Sequence, residues 1–135
     1  TDALLMLLIA MNIKSGDAVF TTPFTYVATA EVISLLGATP IFVDIKEDTF
    51  NIDPDLLERE IINISKANEL IPKAVIAVDL FGLPADLKAI EALAKNEGLK
   101  TKLQNFILNE NLNNDVNLNF VNALYDFNNA INILN

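Results

Sequence analysis

Lys73-Ala74-Val75-Ile76-Ala77-Val78-Asp79-Leu80-Phe81 carries five apolar residues in a row, Ala74 to Val78. A strand with one wet face alternates apolar and polar residues. A short unbroken run predicts a strand covered on both faces, as in parallel sheets. Upstream, Asp53-Pro54 sets a capping acid before a proline at the first helical position. Leu56, Leu57, Ile61 and Ile64 follow at three- and four-residue steps, which predicts a helix with one apolar face. Before it, Thr39–Ile45 reads as a second strand. Gly37 stops a helix over Tyr26–Leu36, which Thr25 is placed to cap. Ala18–Thr22 is β-prone and closed by Pro23, and Ala3–Asn12 is a helix former that ends at Lys14-Ser15-Gly16-Asp17. Downstream, Pro84-Ala85-Asp86 opens a helix with Leu87, Ile90, Leu93 and Ala94 on one stripe, closed by Gly98. Helices and strands therefore alternate. The pattern predicts an α/β layered fold, with parallel strands at 18–22, 39–45 and 73–81 joined by right-handed helical crossovers.

Composition narrows the chemistry. The chain has 135 residues, 52 % of them apolar, with a net charge of −9. That charge disfavours nucleic acid and anionic membrane as partners, because phosphate backbones need Lys and Arg to replace their counterions. Without Cys or His, thiolate and imidazole metal sites and Ser–His or Cys–His nucleophiles are excluded, so no metal site is expected. No apolar run approaches the length that spans a bilayer, and a cytoplasmic protein is the expectation. The sequence starts inside what reads as a helix, at Thr1-Asp2 without Met, so a truncated N-terminus is expected as well.

From Thr101 the character changes: twelve of the last 35 residues are Asn and only four are charged. Phe120, Leu124, Phe127 and Ile131 share a helical stripe, which allows one amphipathic helix near 120–134. Residues 101–135 are expected to form a separate packing unit or none, trimmed by proteases before residues 18–98 are touched.

Several stretches together carry a resemblance. They are Thr1-Asp2-Ala3-Leu4, Gly16-Asp17, Thr21-Thr22-Pro23-Phe24-Thr25-Tyr26-Val27-Ala28-Thr29-Ala30-Glu31, Leu36-Gly37-Ala38-Thr39-Pro40-Ile41-Phe42-Val43-Asp44 and Asp79-Leu80-Phe81-Gly82-Leu83-Pro84-Ala85-Asp86. In this order and spacing they resemble the DegT/DnrJ/StrS family of sugar aminotransferases, near-continuously over residues 1–100. The resemblance implies part of the large domain of a fold-type I transferase dependent on pyridoxal 5′-phosphate, a three-layer sandwich with a mainly parallel sheet. Residues 101–135 fall outside it.

The resemblance also implies a cofactor site. Thr1 matches the family's phosphate-contacting threonine and Asp2 the next residue, which offers a backbone N–H; on the residues alone, Thr1 reads as an ordinary helix cap. Tyr26 matches the aromatic that stacks on the pyridine ring. Asp79 ends the third predicted strand, where open α/β sheets place ligands. It either faces the cofactor or caps the turn to Gly82. Asp44 and Glu31 read as structural and solvated charges. The full-length family implies a nucleotide-sugar substrate, an amino-acid donor and a homodimer.

Such enzymes also need an Asp to hold the pyridine nitrogen protonated and a Lys that bonds the cofactor and moves the proton. In the family, that Asp follows Gly-Leu-Lys in a Glu-Asp-Ala-Ala-like motif. Here Gly98-Leu99-Lys100 runs into Thr101-Lys102-Leu103-Gln104-Asn105, and no Lys matches the second motif, so no residue is assigned a catalytic role. The sequence reads as a fragment of a nucleotide-sugar aminotransferase, inactive alone. The alternative is a non-catalytic remnant or interaction module of that family, and the family's lysine-free dehydratase-like members remain compatible. A general nucleotide-binding domain has less support, because the four glycines form no phosphate loop.

Overall fold

The computed structural model describes residues 1–96. The expected closure of the last helix at Gly98, the helix near 120–134 and the separate unit at 101–135 lie outside the described residues. Helices α1 (Asp2–Ala10), α2 (Ala28–Leu35), α3 (Pro54–Ala67) and α4 (Leu87–Asn96) alternate with strands β1 (Asp17–Thr21), β2 (Thr39–Phe42) and β3 (Ile71–Val75). The sheet has the order β2-β1-β3, and β1 pairs in parallel with both neighbours.

Alternation along β1 builds the layers. Ala18 and Phe20 point into a cluster with Leu57 and Ile61 of α3 and Ile90 and Ala94 of α4. Val19 points the other way, into a cluster with Leu8 of α1 and Val32 and Ile33 of α2. The central strand is buried throughout, so helices cover both faces and the three-layer reading stands. Burying a side chain such as Phe20 or Leu57 contributes about 1.5–3 kcal/mol.

Element boundaries differ from the sequence expectation where partners run out. The third strand begins at Ile71, not Lys73, and ends at Val75, not Phe81. Pro72 is tolerated because β3 is an outer strand among the described residues. The register slips there, with Ala18 opposite Pro72 and Val19 opposite Ala74, so Lys73 is the extra residue of a bulge. Beyond Val75 the ladder stops with β1: the Ile76 N–H still donates to the Phe20 carbonyl (2.8 Å). The Thr21 hydroxyl then donates to the Ile76 carbonyl (3.1 Å). The second strand likewise stops at Phe42 rather than Ile45; Val43 N–H donates to Thr21 (2.8 Å), and Ile45 turns to bridge Ile52.

Helix α2 starts at Ala28 rather than Tyr26, and Thr25 does not cap it. The cap position is Val27, which has no side-chain cap, and the Thr25 hydroxyl lies 3.4 Å from that of Thr29. Asp53 behaves as expected: its carboxylate accepts from Asp55 N–H (2.9 Å) at the start of α3.

Candidate functional site

All strands run one way, and α2 and α3 return between them, so their N-termini lie at the carboxyl edge of the sheet. Helix α1, packed in the same layer as α2 and feeding β1 through residues 11–16, also starts at that edge. Ligands of open α/β sheets bind there, where loops and helix starts converge.

Thr1 sits at the N-cap of α1 and makes no side-chain cap hydrogen bond. The first intrahelical bond recorded there is Leu5 N–H to the Thr1 carbonyl (2.9 Å). The amides of Asp2, Ala3 and Leu4 precede it, as at any helix start. Thr1 and Asp2 line a cleft of about 800 Å³ with Glu31 and Ser34 of α2 and Pro40 and Phe42 of β2. Tyr26 and Asp79 do not line it.

Tyr26 lies between β1 and α2 and is 76 % exposed. Its carbonyl takes the Thr29 N–H (3.1 Å) at the head of α2, so Thr1 and Tyr26 both stand at helix starts of one layer. Thr22 shapes the approach, its hydroxyl accepting from Phe24 N–H (3.1 Å) before Pro23 and Phe24 leave the sheet.

Asp79 is half-buried in the connection after β3, four residues past the strand end. One carboxylate oxygen accepts from Ala85 N–H (2.9 Å) and its carbonyl accepts from Gly82 N–H (3.0 Å). Asp79 therefore closes the turn over Leu80–Gly82.

Sequence reasoning missed a group at the same edge. Phe24, Phe50 and Phe81, one from the connection after each strand, pack at ring centroid distances of 5.7, 6.4 and 5.9 Å. Phe50 and Phe81 are held at φ 59° and 62°, a region that costs a non-glycine residue about 1–2 kcal/mol. Asn51 beside them is buried, and its amide donates to the carbonyls of Leu83 (3.0 Å) and Pro84 (3.1 Å). One phenylalanine in the connection after each of three strands was a usable signal; nothing in the Asn51 neighbourhood announced its partners. Among the described residues, no group of three or more His, Cys, Asp or Glu could hold a metal ion.

Residues 1–102 match the model of the DegT/DnrJ/EryC1/StrS aminotransferase family. The UDP-2-acetamido-2-deoxy-3-oxo-D-glucuronate aminotransferase of Pseudomonas aeruginosa is 46 % identical over 99 residues, 73 % of this chain and 26 % of that protein. A DegT DnrJ EryC1 StrS aminotransferase crystal structure from Brucella abortus superposes with a TM-score of 0.71 at 49 % identity, covering 73 % of this chain and 26 % of its own. NtdA of Bacillus subtilis, solved with the cofactor PMP bound, gives a TM-score of 0.64 at 31 % identity over 73 % of this chain and 21 % of its own. The chain thus spans about a quarter of the length of these relatives.

Proposed function

The chain belongs to the DegT/DnrJ/EryC1/StrS aminotransferase family, and on that premise we propose that it is the part of a nucleotide-sugar aminotransferase that holds the phosphate and one ring face of pyridoxal phosphate. The observation that carries this is the placing of Thr1 and Tyr26 at two helix starts of one layer, on the carboxyl edge of the sheet.

The residues present fit the holding half of the task. The uncapped start of α1 offers N–H groups and the positive end of a helix dipole to a phosphate. The Thr1 hydroxyl adds a donor, and Asp2 contributes its backbone N–H. The exposed Tyr26 ring supplies a stacking face, worth about 0.5–1.5 kcal/mol beyond its area. Asp79 keeps one carboxylate oxygen on Ala85 and has its second oxygen for a polar group of the ligand. When bound, the cofactor supplies an electron sink for the charge left as a proton leaves the substrate.

The reacting half is not matched. No lysine lies in the family's attachment motif, and the acid that would pair with the pyridine nitrogen has no counterpart after Lys100. Residues 1–135 by themselves therefore bind the cofactor weakly and do not transaminate. For a longer protein of this family, the reading we propose includes a keto sugar on a nucleotide as substrate, an amino acid as donor and a homodimer as the working form.

Titration of the chain with pyridoxal phosphate, followed by borohydride and peptide mapping, tests this. The expected result is weak saturable binding, weakened further by Tyr26→Ala, with no single lysine labelled. Stoichiometric labelling of one lysine, or binding indifferent to Tyr26, overturns it.

A further inference from the structure

We propose that Asn51 is the positioning residue of the carboxyl edge, the strut that sets where Asp79 and the Phe81 ring stand. It sits in a connection tied together by its own hydrogen bonds. Ile45 bridges Ile52, Asp53 N–H donates to the Asp44 carbonyl (3.0 Å), and Lys46 N–H donates to the Asn51 carbonyl (2.9 Å). The Asn51 N–H itself reaches the Thr49 hydroxyl (3.3 Å). From this base the side chain, only 4 % exposed, crosses to the connection after β3 and donates to two successive carbonyls, Leu83 at 3.0 Å and Pro84 at 3.1 Å.

The direction of the amide follows from chemistry. Turned over, it would set its oxygen against two carbonyl oxygens, so the donors must face Leu83 and Pro84. That choice leaves Asn51 Oδ1 buried without a partner among the described residues. A buried acceptor in this position calls for an explanation, and the two bonds donated by the same amide supply one.

What the strut holds is the Asp79 turn. Leu83 and Pro84 directly precede Ala85, whose N–H binds the Asp79 carboxylate, and directly follow the turn carrying Phe81. Phe81 rests on Phe50 at 5.9 Å, and Phe50 is the neighbour of Asn51. Both rings are kept at positive φ, a conformation that persists only when the surroundings over-determine it. Asn51 therefore links the connections after β2 and β3 into one body. The consequence for cofactor rests on the function proposed above; the positioning itself does not.

Three measurements on the whole chain test it. In the unmutated chain, the Asn51 side-chain amide protons should exchange about tenfold or more slowly than those of exposed asparagines; exchange at the exposed rate overturns the proposal. The chain has no tryptophan, so Phe81→Trp gives a sole reporter. Adding Asn51→Asp, which keeps the shape and removes both donors, should lower its anisotropy well below the unfolding transition. Asn51→Leu should do the same. If both variants lower only the denaturation midpoint and leave the reporter unmoved, Asn51 merely fills space and the proposal fails. Where the unmutated chain binds pyridoxal phosphate, Asn51→Asp should weaken binding about fivefold or more, the scale of losing paired donors; unchanged affinity overturns the link to the cofactor. Absence of binding in the unmutated chain counts against the cofactor reading alone, because the exchange and tryptophan readouts need no cofactor. A variant that fails to fold leaves the decision to the exchange measurement.

Discussion

At the scale of single residues, exposure separates the side chains that serve the fold from those available to a ligand. Tyr26 is 76 % exposed and packs into neither core cluster. Tyr26→Ala should therefore move the unfolding free energy by no more than about 0.5 kcal/mol, the usual range for surface changes. Its effect should fall on cofactor affinity, and urea denaturation beside a pyridoxal phosphate titration checks both. Asp53 is the opposite case. It touches no candidate ligand site, yet its carboxylate satisfies the Asp55 N–H at the head of a 14-residue helix. Asp53→Ala should cost about 1 kcal/mol in urea denaturation and leave cofactor affinity unchanged. Gly37 shows a third behaviour, with φ +75° and ordinary space for a Cβ, 3.6 Å from Ser15. Gly37→Ala should destabilise by about 1 kcal/mol through backbone strain rather than a clash.

At the scale of elements, β1 bears the fold, because it lies between the other two strands and sends side chains into both clusters. Phe20, fully buried at its centre, should cost about 3–5 kcal/mol on Phe20→Ala. Thermal or urea unfolding should show the chain largely unfolded or strongly weakened. Loss of less than about 1 kcal/mol would mean that the two clusters do not unfold together. The apolar run at 74–78 announced β3 and the Asp53-Pro54 pair announced α3, because burial and capping leave local marks in sequence. Strand ends left none. Ala77 and Val78 continue the apolar run, yet they fall outside the ladder because β1 has already ended at Thr21. An apolar run shows that a segment is buried; only the partner decides where pairing stops. The same limit applies to the site. Thr1, Asp2, Tyr26 and Asp79 are candidates by resemblance alone, and the edge they share follows from the alternation of elements. The Asn51 bonds to Leu83 and Pro84 span more than thirty positions and have no local signature.

At the scale of the whole molecule, the described body leaves large apolar side chains and two strand edges uncovered among the described residues. The outer edges of β2 and β3 have no strand partner among the described residues. Phe42 at the end of β2 is exposed, as is Ile71 at the start of β3. Unpaired N–H and C=O groups flanked by apolar side chains form a template for another strand, and soluble proteins usually blunt such edges with lysine, proline or a bulge. Here β3 has Pro72 and the bulge at Lys73, whereas β2 has only Pro40. Edge β2 is therefore the less protected of the two. The chain should associate with itself as concentration rises, and Phe42→Lys should reduce that association more than Ile71→Lys. Sedimentation velocity across a concentration series checks the order. Equal effects would point to the aromatic group at the carboxyl edge as the sticky surface, and Phe81→Ser would then be the more effective change. The ranking follows from backbone geometry rather than hydrophobicity, since Ile71 is the more exposed of the two side chains, while β3 is blunted by both a proline and a bulge and β2 by a proline alone.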